Sequence, residues 1–284
     1  MTKTVDGSLV RSIAQQFGTP VYTYDAALIR QRVAALQRFD LVRYAQKASS
    51  NSHLLRLLRG LGVAVDAVSG GEIERALRVG YTGQGEPADL VLTADLLDEA
   101  TLQLIIDRDI PMNAGSVDML RQLGQRKPGH RVWLRINPGF GHGHSRKTNT
   151  GGESSKHGIW HEDLAEALAV IDQFELDLVG LHMHIGSGTD FEHLQLVAGA
   201  MVEQVQAVGR DVRAVSAGGG LPVAYRDGDA GIDVDAYFEI WDRARRDIER
   251  TVEHDVSLEI EPGRYLLAEA GQLIAEVRAV KQTT

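Results

Sequence analysis

Cysteine is absent from the 284-residue chain. That excludes a disulfide framework, thiolate zinc sites, iron–sulfur clusters and any cysteine nucleophile supplied by this chain, and it agrees with a reducing compartment. No stretch approaches the roughly 18 uninterrupted apolar residues of a membrane span. The segment Met1 to Ile13 carries charges and a glycine where a secretory signal would carry an apolar core, so a soluble, cytoplasmic protein is expected. Basic surplus is missing too: 30 Lys+Arg against 39 Asp+Glu leave a net charge of −9. With no basic stripe, nucleic acid is not the expected partner, and a small anionic substrate needs a local positive pocket. What is present, 43% hydrophobic and 24% charged residues, is ordinary globular composition with enough length for a large core. Disorder and collagen-like repetition are excluded.

The elements alternate along the chain. Short β-branched or apolar runs at Val42–Lys47, Val63–Val68, Leu90–Ala94, Ile110–Asn113, Arg131–Asn137, Leu176–Ile185, Val212–Ala217 and Val256–Glu261 read as eight strands. Between them, apolar residues recur every three or four positions over Ser52–Leu61, Gly71–Val79, Leu97–Asp107, Val117–Leu123, His161–Phe174, Phe191–Val208 and Val234–Val252, which predicts helices. This alternation predicts an α/β fold, a closed (β/α)8 barrel of the TIM type. The competing architecture, a doubly wound open sheet, wants a Gly-x-Gly-x-x-Gly turn after an early strand, whereas Gly60 and Gly62 precede one. A barrel's chemistry sits where strands end, and here nearly all those ends are polar or glycine.

Lys47 closes the first run. A lysine at a barrel mouth can form a Schiff base, or it can be a surface lysine whose stem covers apolar neighbours. Gly218, Gly219 and Gly220 follow the seventh run and read either as a nest of N–H donors for phosphate or as a flexible loop. After the eighth comes Glu261-Pro262-Gly263-Arg264, whose guanidinium fork suits phosphate or carboxylate. Phosphate-binding barrels use the loops after strands seven and eight. A phosphate anchor opposite a lysine suggests pyridoxal phosphate, with Glu261 as acid partner of the ring nitrogen; alternatively Glu261 is a buried acid paired with Arg264. Period-two alternation sends His182 and His184 to one face, inward if Leu181 and Met183 meet the helices. His184 could then stack on the cofactor and Ser187 bond its phosphate, or the two histidines could ligate a metal. Asp66 could orient Lys47 or the cofactor, while Ser69 and Glu72 read as helix N-cap and capping-box partner. The long polar loop Gly139–Gly158 reads as a lid over the mouth or as a bare connection.

Tyr44-Ala45-Gln46-Lys47-Ala48, Val65-Asp66-Ala67-Val68-Ser69-Gly70-Gly71-Glu72, Asn137-Pro138-Gly139-Phe140-Gly141-His142-Gly143-His144, Lys147-Thr148-Asn149-Thr150-Gly151, His182-Met183-His184-Ile185-Gly186-Ser187-Gly188, Gly218-Gly219-Gly220 and Glu261-Pro262-Gly263-Arg264, in that order, make nearly the whole chain resemble the fold-type III pyridoxal-phosphate-dependent decarboxylases. The resemblance is nearest to the branch that decarboxylates meso-2,6-diaminopimelate to L-lysine. It implies an alanine racemase-like barrel, no metal, Lys47 holding the cofactor covalently, His184 on the ring, and Gly218 to Gly220 at the phosphate. It further implies Glu261 at the pyridine nitrogen and Arg264 at phosphate or substrate. Sister activities on ornithine, arginine or carboxynorspermidine, an amino-acid racemase, and a cofactor-binding barrel without turnover are the alternatives; an aldolase without cofactor leaves the glycines and Glu261 unused. Family members continue into a C-terminal β-domain that supplies a catalytic cysteine and substrate contacts, often across a homodimer. On that pattern residues 1–20 are an N-terminal segment packed with the β-domain, 21–270 the barrel, and 271–284 the start of a β-domain that is largely missing, Val277–Val280 looking like its opening strand. Loss of that domain is expected to impair turnover by this chain.

Overall fold

The computed structural model describes residues 6–140, 152, 155–184, 190–226, 228–229 and 231–282. Its strands and helices run in chain order α1 (Gly7–Phe17), β1 (Val21–Tyr24), α2 (Ala26–Ala34), β2 (Leu41–Ala45), α3 (Ser52–Gly60), β3 (Ala64–Ala67), α4 (Gly70–Arg78), β4 (Leu90–Ala94), α5 (Glu99–Arg108), β5 (Met112–Ala114), α6 (Val117–Arg126), β6 (Arg131–Asn137), β7 (Ile159–Trp160), α7 (Leu164–Gln173), β8 (Asp177–His182), α8 (Phe191–Val208), β9 (Ala214–Ser216), α9 (Val234–Val252), β10 (Ser257–Ile260), α10 (Arg264–Leu267) and β11 (Gly271–Ile274). Local chemistry sets the helix starts. Asp25, Asn51, Ser69, Asp98, Ser116, Asp190 and Asp233 each accept a hydrogen bond from an amide of the first turn they precede.

All eight predicted strands are present as β2 to β6 and β8 to β10. They pair in parallel, and the contacts of β5 with β6 and of β10 with β2 close the ring. The protein is therefore a closed (β/α)8 barrel, with β7 a two-residue addition on β6. The eighth helix, α10, is a single turn that packs on α2, reinforced by an Arg32–Glu269 ion pair. Outside the ring, β1 pairs antiparallel with β11, Val21 opposite Ile274 and Tyr24 opposite Gly271. The strand expected at Val277–Val280 is not formed, and the last strand of the described residues is β11.

Period two sorts the barrel residues. Tyr44, Val65, Leu92, Leu134, Leu181 and Leu258 point outward into one continuous core beneath the helices. Their buried neighbours on the same strands, Arg43, Asp66, Thr93, Arg135, His182 and Glu259, are polar and point into the lumen. Barrels of this type ordinarily fill the lumen with layers of branched apolar side chains. Here much of the lumen is charged, so each group must find a partner or a ligand. Among the described residues no helix is long and apolar enough to cross a membrane.

Candidate active site at the barrel mouth

β2 stops at Ala45, two residues before the expected end. Its last amide donates to Pro262 O at 3.2 Å, and the chain then tightens into a 3-10 turn, Gln46–Ala48, closed by Ser49 N–H to Gln46 O at 3.0 Å. Lys47 projects from that turn, and the Gln46 side chain anchors it by donating to Glu72 O at 3.1 Å. Ser69 caps α4 as expected. Glu72, though, reaches back to the amide of Val68, at 2.9 Å, one residue before the cap that a standard capping box would serve.

Beyond the C-terminal strand ends lies a cavity of about 1120 Å³, lined among others by Lys47, Asp66, Thr93, Arg135, His184, Gly219, Gly220, Glu261, Gly263 and Arg264. Its floor is a hydrogen-bonded set on three adjacent strands. The register aligns His182 with Ser216 and Ser216 with Glu259, so the next lumen-facing residue after Glu259, Glu261, arrives beside both. His182 Nε2 meets Glu261 Oε2 at 2.8 Å and the Ser216 hydroxyl donates to Glu261 Oε1 at 3.1 Å. Glu261 is thus paired with a histidine and a serine, not with Arg264, whose guanidinium lies 5.7 Å from the centre of the Tyr225 ring. Leu181 and Met183 face the core, as the inward reading of the two histidines requires.

The glycine run is built for close approach. Gly218 has φ +62°, and a Cβ there would lie 2.4 Å from Met183 O; a Cβ at Gly219 would lie 2.4 Å from Glu261 O. Two of its amides are spent within the protein, that of Gly218 on Ser216 Oγ at 3.2 Å and that of Gly219 on His184 Nδ1 at 3.1 Å. The second bond makes His184 Nδ1 an acceptor, which leaves Nε2 as the protonated position.

The electrostatics divide the acids. Burial alone would raise the Glu261 carboxyl, but the charge and hydrogen bond of His182, then His184 and the Ser216 hydroxyl, pull it down to about 2. Burial and, next, the Glu261 charge push Asp66 up to about 8, and its buried Oδ1 meets no hydrogen-bond partner. Burial, with the positive charges of Arg135 and Lys47, holds His184 well below its usual range, so its ring is neutral at pH 7. One ionised carboxylate, one neutral carboxyl and one neutral imidazole therefore share the cavity with a lysine. Opposed shifts of this kind mark sites that assign distinct proton roles.

Ser187, and most of the loop Gly139–Gly158 including His142, His144, Arg146 and Lys147, lie outside the described residues. Arg135 was not singled out from the sequence, although it is buried and lines the cavity beside Asp95, its NH1 3.6 Å from Asp95 Oδ1. Its signal was available: an arginine inside the apolar run Arg131-Val132-Trp133-Leu134-Arg135, two residues before the strand end.

Residues 26–268 match the family model described as pyridoxal-dependent decarboxylase, pyridoxal binding domain. The diaminopimelate decarboxylase of Streptomyces coelicolor is 61% identical over 277 residues, 98% of this chain and 63% of that protein. That of Escherichia coli K12 is 61% identical over 267 residues, 94% of this chain and 64% of the relative. A crystal structure of diaminopimelate decarboxylase, 60% identical, superposes with a TM-score of 0.93 over 97% of this chain and 65% of the solved one. The chain thus spans just under two thirds of the length of these relatives. It belongs to the pyridoxal-dependent decarboxylases, matching their pyridoxal-binding domain across the barrel.

Proposed function

We propose that the cavity binds pyridoxal 5'-phosphate and that the site serves the decarboxylation of meso-2,6-diaminopimelate to L-lysine. The residues fit such a cofactor. A lysine stands at the mouth beside the loop after β10 and one strand from the loop after β9, an unpaired buried carboxyl oxygen of Asp66 faces the cavity, and an ionised carboxylate lies on its floor. When bound, the cofactor supplies an electron sink for the charge left on the substrate Cα as carbon dioxide departs.

The chain's own residues do the rest. Lys47 would hold the cofactor covalently. Gly218, Gly219, Gly220, Pro262, Gly263 and Arg264 would hold the phosphate, with Arg264 also available to a substrate carboxylate, and Ser187, outside the described residues, is proposed for the same role. The neutral His184 ring, which lines the cavity, would cover one side of the pyridine and keep water from it. Glu261, fixed as an anion, would keep a proton on the ring nitrogen. Asp66, kept neutral by burial and then by its neighbour Glu261, would offer a hydrogen-bond donor where a second anion would oppose that proton.

The reading extends to residues 271–284 opening a further β-domain, with 1–20 packed against it. Support comes from the β1–β11 pair outside the ring and from the apolar surface left there by Tyr22 (68% exposed), Leu273, Val277 (79%) and Val280 (84%). A cytoplasmic homodimer belongs to the same reading and rests on family resemblance.

The observation that carries the function is the convergence of Lys47, the two loops and a carboxylate held ionised by His182 and Ser216 in one cavity. Carbon dioxide release from meso-2,6-diaminopimelate, ornithine and arginine, measured with cofactor present, tests it. Release from the first alone is expected. Release only from another substrate replaces the substrate assignment, and covalent cofactor without any release makes the chain a binding barrel.

A further inference from the structure

Glu261 is the last member of a relay that begins outside the cavity. The Gly218 amide donates to Ser216 Oγ, the Ser216 hydroxyl donates to Glu261 Oε1, and His182 Nε2 engages Glu261 Oε2. An ionised carboxylate only accepts, so Nε2 is the donor in the last pair. His182 is 1% exposed and Glu261 9%. A carboxylate offers about four lone-pair directions; one on each oxygen is taken from below, and the others remain toward the cavity. The two donors therefore set the plane of the carboxylate as well as its charge.

His182 differs from the other groups around Glu261 in what else it does. Its Nδ1 is buried without a hydrogen-bond partner. The imidazole thus spends its single protein hydrogen bond on Glu261. The remaining groups nearby have partners of their own or are neutral. On β2, Arg43 is committed to Glu259 of β10. On β6, Arg135 is beside Asp95. Asp66 on β3 is a neutral carboxyl, His184 past the end of β8 a neutral imidazole, and Tyr237 on α9 a phenol that burial keeps protonated.

We propose that His182 is the positioning residue of this site: its Nε2–H aims the Glu261 carboxylate into the cavity and keeps it an acceptor, so that a pyridine nitrogen bound there stays protonated. The inference rests on the cofactor reading above and adds the group that makes Glu261 fit for its part. Without the donor, a buried carboxylate facing Asp66 and Glu259 loses its strongest reason to remain ionised. It could then rotate or take up the proton itself, and the ring nitrogen would lose its counter-ion.

The test uses the full chain loaded with pyridoxal 5'-phosphate carrying nitrogen-15 in the ring, with the ring-nitrogen resonance followed against pH. Relative to the wild type, the midpoint for ring deprotonation is expected to fall by about one unit or more in His182→Leu, a tenfold change in that equilibrium. His182→Gln, whose amide can still donate to the carboxylate, should restore most of the shift. In a Glu261→Gln background the His182→Leu change should add nothing further, because the two residues act as one unit. Should His182→Leu fail to fold, His182→Asn, with an amide too short to reach Glu261, supplies the same comparison. An unchanged midpoint with cofactor normally bound on Lys47 overturns the inference and leaves the function standing. A wild-type chain that takes up no cofactor overturns both.

Discussion

Glu259 and Glu261 are two residues apart on the chain and enter the same lumen, yet their surroundings are opposite in kind. Both oxygens of Glu259 face the fork of Arg43, whose third nitrogen donates to Ala88 O at 2.6 Å, and the two side chains are 1% and 3% exposed. That pair is closed: each of the three guanidinium nitrogens donates to an acceptor within the protein. Glu261, one step nearer the mouth, has two donors from below and open acceptor capacity above. Around it, Asp66 Oδ1 and His182 Nδ1 are buried without partners. Only a small cavity of about 110 Å³ lies beside the Arg43–Glu259 pair, against about 1120 Å³ above Glu261. The same residue type, with one donor on each oxygen in both places, is structural where a buried arginine seals it and functional where it opens on the large cavity.

The sharpest way to break this contrast is at the closed end. Arg43→Met leaves Glu259 buried without a cation and should cost about 3–5 kcal/mol of stability, read from urea unfolding, while cofactor uptake in the folded fraction is retained. Pairing it with Glu259→Leu should recover most of the loss. A cost below about 1 kcal/mol for the single change would show that the lower pair is not sealed. At the open end, Glu261→Gln should keep the cofactor and slow decarboxylation roughly 10²–10³-fold, with stability changed far less than by Arg43→Met. Equal turnover would remove Glu261 from the chemistry.

The smallest effect concerns pH. The folded Asp66 carboxyl, raised to about 8, binds its proton more tightly than the unfolded one at about 4. Its stabilising contribution is complete below about pH 4 and is lost as pH rises through 8. Asp66→Asn cannot titrate, so the urea midpoint of the cofactor-free variant should fall less between pH 5 and pH 8 than that of the wild type. Glu261 runs the other way, its contribution vanishing as pH falls from about 4 toward 2. Parallel wild-type and Asp66→Asn profiles would contradict the assignment of a neutral Asp66.

The barrel was legible because its signals are local. The apolar runs stand out between amphipathic segments, and α8 and α9 begin and end at the residues expected, bracketed by Asp190 and Gly209 and by Asp233 and Glu253. Strand-end residues were equally visible, since glycines, His184, Glu261 and Lys47 interrupt apolar runs. Two things were not. The β1–β11 pair joins segments nearly the length of the chain apart, a contact no local pattern encodes. The charged lumen was hidden for a subtler reason: Arg43 and Glu259 sit inside strands read as apolar, and only the barrel's closure brings β2 against β10 and makes them partners. The same closure turned Glu261 toward His182 and Ser216 when sequence alone also allowed Arg264.

The account depends most on Lys47 being the residue that takes the cofactor. Incubation with pyridoxal 5'-phosphate, borohydride reduction and peptide mapping addresses it directly, since reduction fixes the adduct where it formed. The expected result is one reduced adduct, on Lys47. An adduct on Lys127, Lys147 or Lys156 with Lys47 unmodified would contradict the account.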